Sequence, residues 1–496
     1  MDKVVAKKRK RRSVLTFQGG EFTIDEDDYY VMDQIVQRLW KVFERNKYNY
    51  TTTMDATKAM VEIREGDEEH RVYKLFLPSD LDFLPRLILQ LDALEVLVVG
   101  FPTIISDPPP WIGRLTNLKE LILPDICSLP EQIGNLTNLE TLHLEYPDIT
   151  SLPDSIGRMK NLKSLIITFA SKLSSLPIEI CFLTNLRSLN LTACASITSL
   201  PKYMDRLENL KELKIMLTDQ LQSLSHDVCG ISSLTKLDIS ESSISSLPSS
   251  IGNLNNLEEL DLSETGNLQS IPNEIGSLLN LRKLTCNESN VSSIPNSIGN
   301  LKNLTELNLL NTDNLRNIPN EIGNLTNLVK LNLSSSSISS IPKTIGNLTT
   351  LKDLNLSYTA ELHRVPDEIG NLTSLQDLNV SCSAISSLPN SIGKLKNLKV
   401  LNLRCTDQLH NLPDEIGNLT NLQCIDLSYS SISSLPNSIE KLKNLRVLVT
   451  VGNCILESES SNQIISNLVK HCPLLGCVGC DREDVENNSE CEDLVI

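Results

Sequence analysis

Residues 325–348 read LTNLVKLNLSSSSISSIPKTIGNL, and this stretch decides the fold. Leu325, Leu328, Leu331, Leu333, Ile338, Ile341 and Ile345 are its regularly placed apolar side chains, separated mostly by Asn, Lys, Ser, Thr and Pro. Each can return about 1.5–3 kcal/mol on burial, whereas ordering the backbone costs about 1–2 kcal/mol per residue. Such a segment cannot fold alone. It needs copies of itself stacked on either side, sharing the apolar layer and the backbone hydrogen bonds.

The copies are present. A proline returns at Pro130, Pro153, Pro177, Pro201, Pro248, Pro272, Pro295, Pro319, Pro342, Pro366, Pro389, Pro413 and Pro436, with Ser225 filling the one gap. From Pro248 onward the spacing alternates between 24 and 23 residues, a period that marks a stacked solenoid. Leu331, Asn332 and Leu333 alternate apolar and polar, as a short strand does with its leucines inward. Pro342 stops the strand run and opens a short helical turn over Lys343–Leu348. Stacked strands then make a parallel sheet, and the bulkier helical side bows outward. An α/β solenoid is predicted, with the parallel sheet on the concave face and short helices or turns on the convex face.

At these residues the chain resembles the leucine-rich repeat family, whose unit Leu-x-x-Leu-x-Leu-x-x-Asn-x-Leu is met by Leu328, Leu331, Leu333, Ser336 and Ile338. The match runs from about Val72 to Ile455. The Leu-Pro-x-x-Ile-Gly-x-Leu continuation resembles the cytosolic subclass found in plant resistance-type proteins and Ras-pathway scaffolds. What the resemblance implies is a horseshoe that binds proteins. One departure is systematic: the family's buried Asn gives way to Thr312, Ser336, Thr359, Ser383, Thr406 and Ser430, with Cys194 earlier and Asn453 in the last repeat. A hydroxyl offers fewer donors than an amide, and it is expected to bond the neighbouring turn.

Composition agrees with such a core. The 496 residues are 40% hydrophobic but only 4% aromatic, which suits many similar aliphatic layers. The formal charge of −17 disfavours nucleic acid and favours a basic partner. No apolar run approaches the roughly 18 residues of a membrane span, and no secretory signal core follows the N-terminus. The 13 cysteines, odd in number and scattered, fit reduced thiols better than a disulfide framework. Cys181 and Cys229 replace Gly, and Cys286 replaces Leu, as small apolar residues. A cytoplasmic and/or nuclear location follows as the expectation.

The domain reading is a basic disordered tail over 1–20, a helical cap and hairpin start over 21–66, about 16 repeats over 67–456, a C-terminal cap over 457–480 and an acidic disordered tail over 481–496. Asp27 and Asp28 are placed to cap a helix carrying Met32, Ile35, Val36, Leu39, Trp40 and Phe43 at helical spacing. Ala59–Arg64 and Arg71–Leu77 read as a hairpin, and Ile464–Lys470 as a closing helix. The run Lys7, Lys8, Arg9, Lys10, Arg11, Arg12 matches a nuclear-import signal. No metal site is expected; the loose set Cys472, Cys477, Cys480 and Cys491 beside His471 is a weak alternative for zinc.

Strand positions facing the concavity hold a monotonous row, Asn308, Asn332, Asn355, Asn379 and Asn402, which carries little specificity. Earlier repeats depart from it with Phe101, Ile122, Tyr146, Ile166, Phe169, Met216 and Leu217, the residue types of an interface hot spot. Asp238, Glu241, Asp261, Glu264 and Glu288 form an acidic column beyond them. A partner that anchors on the aromatics and presents Lys or Arg to the acids is the expectation, set against a plainer one in which the aromatics pack under the N-terminal segment and the acids are solvated. No phosphate-binding loop, His-Glu-x-x-His or kinase signature is present, and the histidines are dispersed, so neither catalysis, a cofactor nor a small-molecule substrate is expected. Two functions remain: a scaffold or adaptor in intracellular signalling, or a single-ligand recognition or inhibitor module of defence or sensor type.

Overall fold

A computed structural model describes residues 12–17, 20–25, 61–63, 72–77, 84–101, 107–453, 455 and 459–471. Contacts divide the chain into two compact units, Met1–Leu221 and Gln222–Ile496.

In the N-terminal unit, β1 (Arg12–Phe17) and β2 (Gly20–Asp25) pair antiparallel. The sequence suggests a disordered tail as far as residue 20; the structure instead starts an antiparallel pair at Arg12. β3 (Val61–Ile63) lies antiparallel to β4 (Val72–Leu77), the hairpin read from the sequence. From β4 a parallel ladder runs through β5 (Val96–Val99), β6 (Glu120–Pro124), β7 (Thr141–Glu145), β8 (Ser164–Thr168), β9 (Ser188–Asn190) and β10 (Glu212–Lys214). Lys7–Arg11, the helix expected over Met32–Phe43, the acidic tail, and Cys472, Cys477, Cys480 and Cys491 lie outside the described residues.

The C-terminal unit repeats one motif. Ten three-residue strands, from β11 (Lys236–Asp238) to β20 (Val447–Val449), pair parallel and in register. Their middle residues form one buried column, with Leu331 facing Leu354 and Leu354 facing Leu378. These ladders are open, as a solenoid requires, and are not closed into a barrel.

Most strands return through a 3-10 turn opened by the periodic proline. Pro342 is extended at φ −65° and ψ 146°, and its carbonyl accepts the Ile345 N–H at 3.0 Å. Proline fits because its fixed φ suits the entry and no N–H is wasted. Gly346 follows because the next repeat passes close by: a Cβ there would lie 2.7 Å from the Glu368 carbonyl oxygen. Where Ser225 replaces proline, a short α-helix, α1 (His226–Cys229), forms instead, and the Ser225 hydroxyl accepts the Val228 N–H at 3.4 Å. That is the N-cap bond that serine can make and proline cannot.

Two hydrogen-bond sets order the repeats, one within each and one between neighbours, and the first corrects the sequence reading. The Thr312, Ser336, Thr359, Ser383, Thr406 and Ser430 hydroxyls donate to the carbonyl three residues back, as Thr406 does to Leu403 at 2.7 Å. They close their own turn instead of reaching the neighbouring one. Cys194 and Asn453 do reach it, donating to Ile167 and Leu427 respectively. Side-chain ties between repeats come from a different asparagine, just ahead of the leucine that precedes each strand: Asn327 Nδ2 donates to Lys302 O at 2.8 Å, and Asn138, Asn161, Asn256, Asn303, Asn397 and Asn444 bond the preceding repeat in the same way.

The last element among the described residues is α2 (Glu459–His471), longer than the helix read from the sequence. It buries Ile464, Ile465 and Leu468 on the last repeat. Ser461 Oγ accepts the Leu435 N–H at 3.1 Å, and Asn467 Nδ2 donates to Glu440 Oε1 at 2.8 Å. Among the described residues no helix is long and apolar enough to cross a membrane.

Candidate functional site

Register sorts the sheet-side residues into columns. The mid-sheet column runs Val98, Ile122, His143, Ile166 and Asn190 in the N-terminal unit, and Asp238, Asp261, Thr285, Asn308 and Asn332 at the start of the C-terminal unit. Three residues further along each repeat, where the strand turns away, the backbone is left-handed. Asp125, Tyr146, Phe169, Ala193 and Leu217 occupy this station in the N-terminal unit, and Glu241, Glu264, Glu288, Asn311, Ser335, Tyr358, Cys382, Cys405 and Tyr429 in the C-terminal unit, all at φ between 50° and 59°. Each of these is a residue other than glycine, and glycine takes the station in the last repeat, Gly452 at φ 65°.

The sequence-predicted apolar residues therefore do not share one row. Ile122 and Ile166 are mid-sheet and half-buried; Tyr146, Phe169 and Leu217 are at the left-handed station; Met216 lies one residue before it. Phe101 takes the corresponding place three residues past Val98. The structure brings three of them together. Phe101 and Tyr146 stack with ring centroids 4.9 Å apart, passing over the repeat of Asp125, and Tyr146 and Phe169 stack at 4.4 Å with planes 8° apart. All three stay open to solvent, at 49%, 40% and 43% exposure.

His143, which sequence reasoning passed over as one of several dispersed histidines, sits between Ile122 and Ile166 in the mid-sheet column. Burial lowers its pKa, against the opposing charges of Glu145 and Glu120. Burial between the two isoleucines thus disfavours the charged imidazole. Only strand register reveals that placement.

The acidic residues also fall into two columns. Asp238 and Asp261 are mid-sheet, and each uses Oδ1 to accept the N–H of Ser240 or Ser263, two residues on, together with that serine's hydroxyl. Asn190, Asn308, Asn332, Asn355, Asn379 and Asn402 accept the same backbone bond. The monotonous asparagine row is a structural device that bends the strand exit, a task Asp performs as well. Glu241, Glu264 and Glu288 occupy the left-handed station, and Glu264 has its carboxyl pKa raised by desolvation and then by Glu241, Glu288 and Asp261. Among the described residues no group of three His, Cys, Asp or Glu is placed to hold a metal ion.

A parallel ladder of short strands, a 3-10 return in almost every repeat and one variable side chain at each turn define a repeat solenoid of the protein-interaction type. The family model for the leucine-rich repeat region matches residues 112–238, 220–340, 336–411 and 390–470. The chain belongs to the leucine-rich repeat family. It is similar to a leucine-rich repeat protein of Leptospira interrogans, with 32% identity and a TM-score of 0.65 over 81% of this chain and 93% of that one. It also matches the structure of the Toll–Spätzle complex of Drosophila, at 21% identity and TM-score 0.56, over 77% of this chain and 54% of that one. A third match is the leucine-rich repeat ectodomain of the Arabidopsis thaliana receptor kinase GASSHO1/SCHENGEN3, solved with Casparian strip integrity factor 2, at 27% identity and TM-score 0.48, over 76% of this chain and 52% of that one. No curated protein sequence matches.

Proposed function

We propose that this chain is a non-catalytic binding module whose partner protein anchors on Phe101, Tyr146 and Phe169, with Ile122 and Ile166 beside them and Met216 and Leu217 extending the contact. The single observation behind this reading is the exposed aromatic stack. Bulky residues at positive φ are uncommon, and Tyr146 and Phe169 adopt φ 50° and 59°. Glycine would meet that conformation more easily, so these rings are retained at a conformational cost and are not used to fill the core. Large rigid aromatic faces are what interface hot spots use.

The partner presents Lys or Arg. Asp125 and Glu145 flank the stack, and Asp238, Glu241, Asp261, Glu264 and Glu288 of the C-terminal unit add a negative field that steers a basic surface toward the chain. We place the protein in the cytoplasm or nucleus as a signalling scaffold, a reading supported by the free, accessible Cys127, Cys382 and Cys405 and by the basic run ending at Arg12. Affinity capture with Tyr146→Ala plus Phe169→Ala tests the anchor. Loss of two hot-spot rings should weaken the retained partner by at least about 30-fold. Undiminished recovery would reject the patch. A tagged chain that stays cytoplasmic with Lys7–Arg12 intact would reject nuclear import.

A further inference from the structure

The sheet face changes character in the last three repeats. Along the C-terminal unit the first residue of each strand is charged from Lys236 through Glu306 to Asp377, and none of these is buried. The next three are Val400 of β18 (Val400–Asn402), Cys424 of β19 (Cys424–Asp426) and Val447 of β20. Cys424 and Val447 are each 2% exposed, and Val449, which takes the mid-sheet place of the asparagine row, is 7% exposed. Val400 and Val451 pack against these three.

Their position alone does not explain this burial. Among the described residues β20 is the last strand of the ladder, with a neighbouring strand on one side only. Its outward side chains should be the most open of the unit, yet every residue of β19 and β20 is buried, the carboxylate-bearing Asp426 included. The closing helix α2 seats elsewhere, on the turn side of the last repeat. There Ser461 Oγ accepts the Leu435 N–H, and Asn467 Nδ2 donates to Glu440 of the 3-10 turn Asn437–Lys441. The apolar face needs a different cover.

The chain that continues from α2 has the composition for it. Residues 472–480 read CPLLGCVGC, apolar and without charge, and residues 481–493 then carry seven acids against the one basic residue Arg482. The face they would meet is apolar with a basic flank. Exposed Lys399 and Arg446 stand just ahead of Val400 and Val447, and Arg404 lies past the exit of β18, its guanidinium 4.9 Å from the Tyr429 ring centroid. Reach is ample: three neighbouring strands span about 10 Å, whereas nine extended residues cover about 30 Å.

We propose that residues 472–496 strap the sheet face of the last three repeats, with their apolar start on Cys424, Val447 and Val449 and their acids beside Lys399, Arg404 and Arg446. Apolar burial holds the strap. The exposed ion pairs orient it and add little affinity. The strap closes this end of the sheet to outside partners, and its release uncovers an apolar docking face separate from the aromatic stack.

Cys424, a cysteine outside any disulfide, reports the strap. The full chain is treated with N-ethylmaleimide and each cysteine is followed by peptide mass spectrometry. In wild type, exposed Cys127 should react, while Cys424 and the core residue Cys286 stay protected. Leu474→Asp with Leu475→Asp should speed labelling of Cys424 at least tenfold and leave Cys127 and Cys286 unchanged. Lys399→Glu with Arg446→Glu, at exposed positions outside the core, should speed it severalfold, and decides the matter where the leucine variant also exposes Cys286. Labelling of Cys424 in wild type as fast as Cys127 would overturn the proposal. So would protection retained in both variants, which assigns the cover to another segment, or protection lost on dilution of wild type, which assigns it to a second copy.

Discussion

Gly346 and the Glu368 carbonyl oxygen stand so close that a Cβ added to the glycine would lie 2.7 Å from the oxygen. The same approach recurs between neighbouring 3-10 turns and sets how tightly they stack. Gly346→Ala must push two layers apart, at about 1–3 kcal/mol, whereas Gly266, with nothing within 4 Å of its added Cβ, should accept Ala within about 0.5 kcal/mol. Urea denaturation of both variants checks the contrast.

Asn355 Oδ1 accepts the Ser357 N–H at 3.0 Å and the Ser357 hydroxyl at 2.8 Å. Asn355→Asp keeps the acceptor, as Asp426 shows at the same station, and should be nearly neutral. Asn355→Leu removes it and should cost about 1 kcal/mol. The same denaturation measurement decides.

At the C-terminal end, fully buried Ser461 accepts the Leu435 N–H. Ser461→Ala leaves that donor buried without its partner, at about 1–3 kcal/mol. Hydrogen exchange should show faster exchange at the Leu435 amide and fraying of the last repeat, while the repeats before Pro366 keep their protection.

Burial disfavours the charged form of His143, its pKa lying below the usual 6.5. Between that lowered value and 6.5 the unfolded chain binds more protons than the folded one, so stability rises with pH across this window and is lost as pH falls through it. His143→Gln should flatten the dependence. Melting curves from pH 7 to 4.5 would show it, and equal slopes for the two proteins would refute the assignment.

Much of this was legible in residues 325–348. Leucines at strand positions, the proline that opens each return and the glycine after the isoleucine follow from local rules, so period and layer order could be read without coordinates. Phe101, Tyr146 and Phe169 were legible as oddities but not as a stack, because Phe101 and Tyr146 meet across an intervening repeat. The role of the Asn332 row was hidden for a related reason. Its polarity is visible in the chain, whereas the Ser334 N–H that it receives depends on the bend at the strand exit. His143 between two isoleucines needed the register, which only the paired strands supply.

The left-handed station has a consequence for how such a chain diversifies. Its backbone is held by hydrogen bonds to the following repeat, as Tyr358 N–H is by Ser381 O at 2.8 Å, whichever side chain is present. Aromatic, acidic, hydroxyl and thiol groups all occupy it at nearly the same φ. The position works like a row of sockets along a fixed rail: an inserted or duplicated repeat brings a fresh socket, and its occupant can be exchanged without resetting the frame beneath.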